Sequence, residues 1–110
     1  MKSVPVLPEG IYSASVTAFD AHGNVDADAT ARVMERNLRE GAAGLFVGGS
    51  SGECFLLDPQ ERIRCFEAGA RFGGRTTLIA HAGAISVKQA VDFARAALDM
   101  GYDAIAATAP

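Results

Sequence analysis

The residues with the clearest chemical potential form one short loop, Gly48-Gly49-Ser50-Ser51-Gly52-Glu53. Glycines let a backbone turn tightly, so successive N–H groups can point toward one anion. The adjacent hydroxyls of Ser50 and Ser51 add two donors, and charge-assisted hydrogen bonds to such donors hold a carboxylate or a phosphate. The loop therefore predicts an anion-binding site shaped by Gly49 and Gly52. The alternative is a plain strand-to-helix connection in which glycine and serine only turn the chain.

Two catalytic motifs compete for the same loop. Gly48-x-Ser50-x-Gly52 matches the nucleophile elbow of α/β-hydrolases, which needs a helix directly after the serine and a later acid and histidine. The next helix start is signalled only at Asp58, and His81 ends a neighbouring predicted strand. A Walker phosphate loop needs Lys-Ser or Lys-Thr after the glycines, and neither follows here. The anion-binding interpretation is therefore preferred to a serine hydrolase or a nucleotide-binding loop.

The other side chains with reactive groups are predicted to have structural roles. His81 is predicted to be a packed side chain near the loop, and Glu53 to hold the loop by accepting backbone N–H bonds. Cys54 and Cys65 show no metal-ligand spacing and are predicted to be small buried residues, so no metal is expected. The remaining candidates are expected to pack or to be solvated: Tyr12, Tyr102 and His22.

The elements that must position this loop alternate along the chain. Strands are predicted over 11–17, 44–47, 77–81 and 104–108, because short apolar runs are bounded by turn residues there. Helices are predicted from about 26 to 40, from an Asp58 cap to Gly73-Gly74, and from a Ser86 cap to Gly101. Asp58 with Pro59 and Glu61, and Ser86 with Gln89, have the spacing of capping boxes.

Apolar residues at helical spacing predict which helix faces meet the core. The predicted faces are Ala27, Ala31, Met34 and Leu38 in the first helix, Ile63, Phe66 and Ala70 in the second, and Val87, Val91, Ala94 and Leu98 in the third.

This strand–helix alternation predicts an α/β fold, βαβαβαβ, with four parallel strands and right-handed crossovers. The periodicity fits a small doubly wound sheet and also the first half of a (β/α)8 TIM barrel. A dinucleotide fold places its glycines after the first strand, whereas here they follow the second, which favours the barrel. Such a half-barrel would leave an edge strand and an apolar sheet face uncovered.

Composition limits the functional class. The chain has 110 residues, a formal net charge of -3, 49% hydrophobic residues and two cysteines. This is typical of a globular domain from a reducing compartment, so a cytoplasmic location is expected. The sequence has no cluster of Lys or Arg and no apolar run that could cross a membrane, so neither nucleic acid nor a membrane is expected as a partner.

Several ordered motifs resemble one enzyme family, the pyruvate-dependent class I aldolases that include N-acetylneuraminate lyase and dihydrodipicolinate synthase. The resemblance covers nearly the whole chain, and residues 1–110 are interpreted as the N-terminal half of a single (β/α)8 domain. The matching motifs are Val16-Thr17-Ala18-Phe19, Gly23-Asn24-Val25-Asp26, Gly44 through Glu53, Leu57 with Glu61-Arg62, Leu78-Ile79-Ala80-His81-Ala82-Gly83 and Gly101-Tyr102-Asp103-Ala104-Ile105.

The resemblance implies a site at the C-terminal mouth of the barrel. There, Ser50 and Ser51 would bind the carboxylate of pyruvate or another 2-keto acid, beside Thr17, Glu53 and His81. It also implies a Schiff-base lysine and a proton-relay tyrosine, both expected beyond Pro110. The chain's own lysines, Lys2 and Lys88, are predicted to be solvated and thus poor nucleophiles.

The resemblance also implies that the whole enzyme needs no cofactor. It further implies that the enzyme forms a homotetramer. The segment alone is expected to be inactive, because its Schiff-base lysine would be missing. Gly-Gly-Ser in the loop and Ile79-Ala80-His81 favour the lyase side of the family. Two alternatives stay open: a dihydrodipicolinate synthase-type condensation enzyme, and a non-catalytic, flavodoxin-like anion-binding module.

Overall fold

A computed structural model describes residues 6–109. Its centre is a four-stranded sheet in which every neighbouring pair is parallel, in the order β1-β2-β3-β4. The register pairs Ser13 with Leu45, Leu45 with Leu78, and Ala80 with Ile105. The strands are β1 (Tyr12–Ala14), β2 (Gly44–Val47), β3 (Thr77–His81) and β4 (Ala104–Ala106).

The helices connecting the strands begin at the predicted caps. They are α1 (Ala27–Arg39), α2 (Pro59–Ala70) and α3 (Val87–Asp99). Asp58 and Glu61 form the reciprocal capping box of α2. Ser86 accepts a hydrogen bond from the Gln89 N–H at 3.0 Å, so half of the second predicted box is formed. Two short 3₁₀ turns, Ser50–Gly52 and Cys54–Leu56, lie between β2 and α2.

The strand order confirms the predicted barrel-type fold. A flavodoxin-like sheet has the order 2-1-3-4-5, in which the direction of winding reverses. Here each strand pairs with the next one in sequence, and right-handed crossovers then place all three helices on the same side of the sheet. The chain therefore has the architecture of the first part of a (β/α)8 barrel, and the doubly wound alternative does not apply.

Alternate strand residues form the core between the sheet and the helices. Leu45 and Leu78 are fully buried there, together with Phe66 of α2. Phe46 lies on the opposite face of β2, because successive strand side chains point to opposite sides. The predicted face of α1 is confirmed: Met34 is buried, and its apolar neighbours Ala27 and Leu38 pack against the same core.

Three elements are shorter than predicted: the first and fourth strands and the second helix. β1 ends at Ala14 and β4 at Ala106. After β1 the chain leaves the sheet, since the Thr17 hydroxyl reaches across to the Gly52 carbonyl at 2.8 Å. Helix α2 ends at Ala70, before the Gly73-Gly74 pair, because the next turns are closed by tighter i→i−3 bonds from Phe72 and Gly73.

The predicted inward face of α3 was wrong at three of its four residues, since among them Ala94 alone packs against the core. Val87, Val91 and Leu98 are 75%, 42% and 54% exposed, whereas Phe93 and Ala97 are buried. The helix carries two apolar stripes, and the Phe93 ring decides which one turns inward, because it packs edge-on against Phe66 at 6.3 Å between ring centres. The other stripe faces away from the described part of the chain.

Candidate functional site

The Gly/Ser loop, Gly48–Glu53, leaves the C-terminal end of β2 and closes at once into a 3₁₀ turn. Gly48 has φ +78°, a conformation that L side chains rarely adopt, and a Cβ there would lie 2.8 Å from the Phe66 ring. The Gly52 N–H then donates to the Gly49 carbonyl at 3.0 Å, and the Glu53 N–H to the Ser50 carbonyl at 2.9 Å. The loop is thus tightly folded, which fixes the positions of its serines.

Both predicted binding serines lie at the surface of a small pocket. Ser50 and Ser51 are exposed, and among residues 6–109 their hydroxyls and backbone N–H groups have no hydrogen-bond partner. The pocket has a volume of about 80 Å³ and is lined by Ala14, Ser15, Phe46, Gly49, Ser50 and Ser51. Two adjacent residues with unpaired donors therefore line a small cavity.

The sequence analysis did not identify the residues that line this pocket beside the serines. Phe46 lies so close to the loop that a Cβ on Gly49 would be 2.7 Å from its ring, and Ala14 and Ser15 form the β1 side. The signal was present, because Phe46 alternates with the core residues Leu45 and Val47 and must face the other side of β2.

Thr17 is brought to the loop as predicted. Its hydroxyl donates to the Gly52 carbonyl at 2.8 Å and lies 3.5 Å from the Cys65 sulfur. A Cβ on Gly52 would contact the Ser15 carbonyl at 3.1 Å and the Thr17 hydroxyl at 3.3 Å, so glycine permits this approach. Burial raises the pKa of the Cys65 thiol, which keeps it neutral and consistent with a packing role.

Glu53 does not hold the loop in the predicted way. Its side chain is exposed, and its carboxylate accepts no hydrogen bond from any residue in the described range. The residue has φ +61°, the one positive value outside glycine within the described chain. It joins the two 3₁₀ turns in the left-handed conformation, and its side chain is in solvent.

His81 is packed, as predicted, and connects three strand ends. It is 3% exposed at the end of β3. Its Nδ1 lies 3.1 Å from the Gly48 carbonyl oxygen after β2, and its Nε2 lies 3.2 Å from the Thr108 hydroxyl after β4. Burial lowers the pKa of the imidazole, while the hydrogen bond to Gly48 opposes that change. Neither ring nitrogen is bonded to Ser50, so the contact required by the hydrolase interpretation is not formed.

Arg62 is a buried charged residue whose role sequence reasoning missed. It is 3% exposed; Nη1 donates to the Gly83 carbonyl at 2.6 Å and Nη2 to the His81 carbonyl at 2.8 Å. The guanidinium carbon lies 4.2 Å from the centre of the Phe93 ring. Helical spacing gave a signal, because Arg62 is four residues before the core residue Phe66. Arg62 thus anchors the chain on both sides of Ala82.

The two tyrosines and the two lysines considered in the sequence lie away from the Gly/Ser loop or outside the described residues. Tyr102 is buried and donates to the Phe66 carbonyl, and Tyr12 donates to the Pro8 carbonyl. Lys88 is exposed in the first turn of α3, and Lys2 lies outside the described residues. Across residues 6–109, no group of three His, Cys, Asp or Glu side chains could hold a metal ion. None of the helices described is long and apolar enough to cross a bilayer.

Comparison with known proteins decides the family. Residues 7–110 match the model of the dihydrodipicolinate synthetase family. The chain belongs to that family. N-acetylneuraminate lyase of Clostridium perfringens is 40% identical over 104 residues, 93% of this chain and 36% of the relative. The family resemblance inferred from the motifs is confirmed.

Solved structures agree with this membership. CdNal from Clostridium difficile, solved in complex with mannosamine, superposes with a TM-score of 0.85 at 39% identity, covering 89% of this chain and 34% of that one. N-acetylneuraminate lyase from Fusobacterium nucleatum, complexed with pyruvate, gives 0.85 at 30% identity, with 92% and 35% covered. The chain spans about a third of the length of the relatives it matches.

Proposed function

We propose that residues 1–110 are the N-terminal half of a single (β/α)8 domain, and that this domain is a lyase of the N-acetylneuraminate lyase type acting on pyruvate or another 2-keto acid. The observation that carries the proposal is the pocket at the end of β2, where Ser50 and Ser51 present unpaired donors. Active sites of such barrels lie at this end of the strands. The 40% identity to a lyase favours the lyase over a synthase-type condensation enzyme.

The role proposed for the serines is to hold and orient the substrate carboxylate. Two hydroxyls and two backbone N–H groups on adjacent residues match the two oxygens of a carboxylate, and charge-assisted bonds of this kind are strong. A fixed carboxylate limits the keto carbon to one approach direction, which is a proximity effect. Thr17 supports this arrangement by holding the Gly52 carbonyl.

The covalent step is assigned to a lysine outside residues 1–110. Its amine nitrogen adds to the keto carbon, the carbonyl oxygen leaves as water, and the resulting iminium accepts the electron pair of the carbon–carbon bond that breaks. A tyrosine, also outside this segment, would relay the proton. No cofactor is required, because the iminium is the electron sink. A homotetramer in the cytoplasm completes the proposal, with no role for nucleic acid or a membrane.

The test combines adduct trapping with variants of the loop. The protein, isolated from its source at its native length, is incubated with pyruvate and borohydride, and its intact mass is measured. We expect a reduced pyruvate adduct on a species much heavier than 11.4 kDa. A species of native length without an adduct would contradict the proposed lyase.

The variant Ser50→Ala/Ser51→Ala tests the serines themselves. Bonds to a charged group contribute about 1.5–3 kcal/mol each, so losing both should raise the pyruvate concentration for half-maximal trapping at least tenfold. Ser50→Thr/Ser51→Thr keeps both hydroxyls and is the matched control. Equal pyruvate dependence in the alanine variant and the unsubstituted protein would remove the serines from the site.

A further inference from the structure

A continuous set of buried polar contacts runs from α2 to the Gly/Ser loop. Arg62 reaches from α2 to the carbonyls of His81 and Gly83, which lie on either side of Ala82 at the end of β3. The imidazole of His81 continues the path to the Gly48 carbonyl. These contacts join the second helix, the third strand and the loop that carries the serines.

The hydrogen-bond partners of His81 determine which ring nitrogen carries the proton. A carbonyl oxygen can only accept, so the 3.1 Å contact with Gly48 requires a hydrogen on Nδ1. In the neutral ring Nε2 is then an acceptor, and the Thr108 hydroxyl can donate to it across 3.2 Å. The rings of Phe46 and Phe55 pack beside the imidazole, at 6.0 and 6.2 Å from centre to centre.

The orientation of the Gly48 carbonyl affects the rest of the Gly/Ser loop. Gly48 has φ +78° and no side chain to restrain it, and the next peptide leads directly to Gly49 and Ser50. Turning that peptide would change the directions of the donors that line the pocket. The Nδ1–H bond fixes the peptide's orientation.

Arg62 is held by backbone carbonyls rather than by a carboxylate. Burying a cation without a carboxylate is unfavourable, and Arg62 has no acidic partner among residues 6–109. Its Nε is buried and unpaired there. Arg62 fixes the backbone on both sides of Ala82. The fixed backbone holds the His81 imidazole against Gly48.

We propose that His81 is a positioning residue: its Nδ1–H, bonded to the Gly48 carbonyl, sets the orientation in which Ser50 and Ser51 receive the carboxylate of a 2-keto acid. The inference rests on the proposed function and deepens it by naming the atom that holds the loop. His81 acts through the loop and does not touch the substrate.

Two substitutions of similar polarity separate the ring nitrogens. In His81→Asn the side-chain amide can place an N–H near the position of Nδ1, whereas in His81→Gln it lies near the position of Nε2. We expect His81→Asn to keep the pyruvate concentration for half-maximal borohydride trapping within about threefold. We expect His81→Gln to raise that concentration about tenfold or more, the loss of about 1.4 kcal/mol of binding, with a smaller change in the trapping rate at saturating pyruvate. His22→Asn, at an exposed histidine, is the control.

Each outcome decides the inference. Equal pyruvate dependence of trapping in all variants would overturn it, and so would equal losses in His81→Asn and His81→Gln, because the ring volume and not Nδ1–H would then matter. Thermal unfolding of each variant separates loss of fold from loss of affinity.

A second measurement does not depend on activity. Long-range ¹H–¹⁵N spectra of the unsubstituted protein should show the hydrogen of His81 on Nδ1, and the Nε2–H tautomer would overturn the inference. Failure of the unsubstituted protein to form the pyruvate adduct would instead refute the proposed function, and the tautomer would still report on the loop contact.

Discussion

At the scale of single residues, His81 makes the stability of the fold depend on pH. Burial lowers the pKa of its imidazole, the Gly48 hydrogen bond opposes this, and the charge of Arg62 lowers it further. The unfolded chain therefore binds a proton near the ordinary histidine value of about 6.5, before the folded chain does. Stability from this group is fully present above about pH 6.5 and is lost as the pH falls toward the folded pKa.

We expect His81→Asn to reduce this pH dependence. The free energy of unfolding, measured by denaturant titration at about pH 7.5 and about pH 5.5, should fall less in the variant than in the unsubstituted protein. His22→Asn should leave the difference unchanged, since His22 is exposed. An unaltered pH dependence in His81→Asn would assign the effect to other groups.

Residue types drew attention to the Gly/Ser loop but not to the residues beside it. Glycine and serine in the Gly/Ser loop predicted an anion site because they combine a tightly turning backbone with hydroxyl and N–H donors. The signals for Phe46 and Arg62 were positional and not in the residue type, since a phenylalanine in a strand and an arginine in a helix are usually core and surface residues. Their roles follow from strand alternation and from distant partners, and only the folded structure supplies those partners.

At the scale of elements, the capping box at Asp58 defines the start of α2. The Asp58 carboxylate accepts from the Glu61 N–H at 2.8 Å, and the Glu61 carboxylate accepts from the Asp58 N–H at 3.0 Å. Asp58→Ala removes one bond of the pair, and we expect a loss of about 1 kcal/mol in the free energy of unfolding. Asp92→Ala, at an exposed position inside α3, is the control.

Denaturant titration at neutral pH measures both variants. Equal stability of Asp58→Ala and Asp92→Ala would show that the cap does not limit the stability of α2.

The start of α2 could be predicted from the sequence, whereas the inward face of α3 could not, and the difference has a physical reason. The start of α2 is encoded within four adjacent residues, so sequence was sufficient. The inward face of α3 depends on which of two apolar stripes finds a partner, and the contact between Phe93 and Phe66 decides this across the fold. Val91 and Leu98 fit the helical period equally well and remain on the outside.

At the scale of the whole molecule, the alternation of strands and helices predicted a parallel sheet but left its winding open. Strand order depends on where each crossover returns, and the sequence encodes this only through the combined packing of all the elements. The position of the glycines after β2 was the one local feature that favoured the barrel order, and the sheet has that order.

The same architecture leaves apolar surface uncovered within residues 6–109. β1 and β4 each have one hydrogen-bonded neighbour, Phe46 and Ile79 are only partly buried, and Val91 and Leu98 of α3 are exposed. Unpaired strand edges and large apolar patches promote association between chains. Produced as 110 residues alone, the chain is therefore expected to form oligomers whose proportion rises with concentration.

Sedimentation velocity over a range of concentrations measures that association. Val91→Gln/Leu98→Gln should shift the distribution toward the monomer, because it removes apolar surface from α3 without touching the core, whereas Arg95→Gln on the same helix should not. If the double variant associates as strongly as the parent chain, the sheet edges and the inner sheet face drive association. A parent chain that stays monomeric and unfolds in one cooperative transition would show instead that these surfaces are compatible with an independent fold.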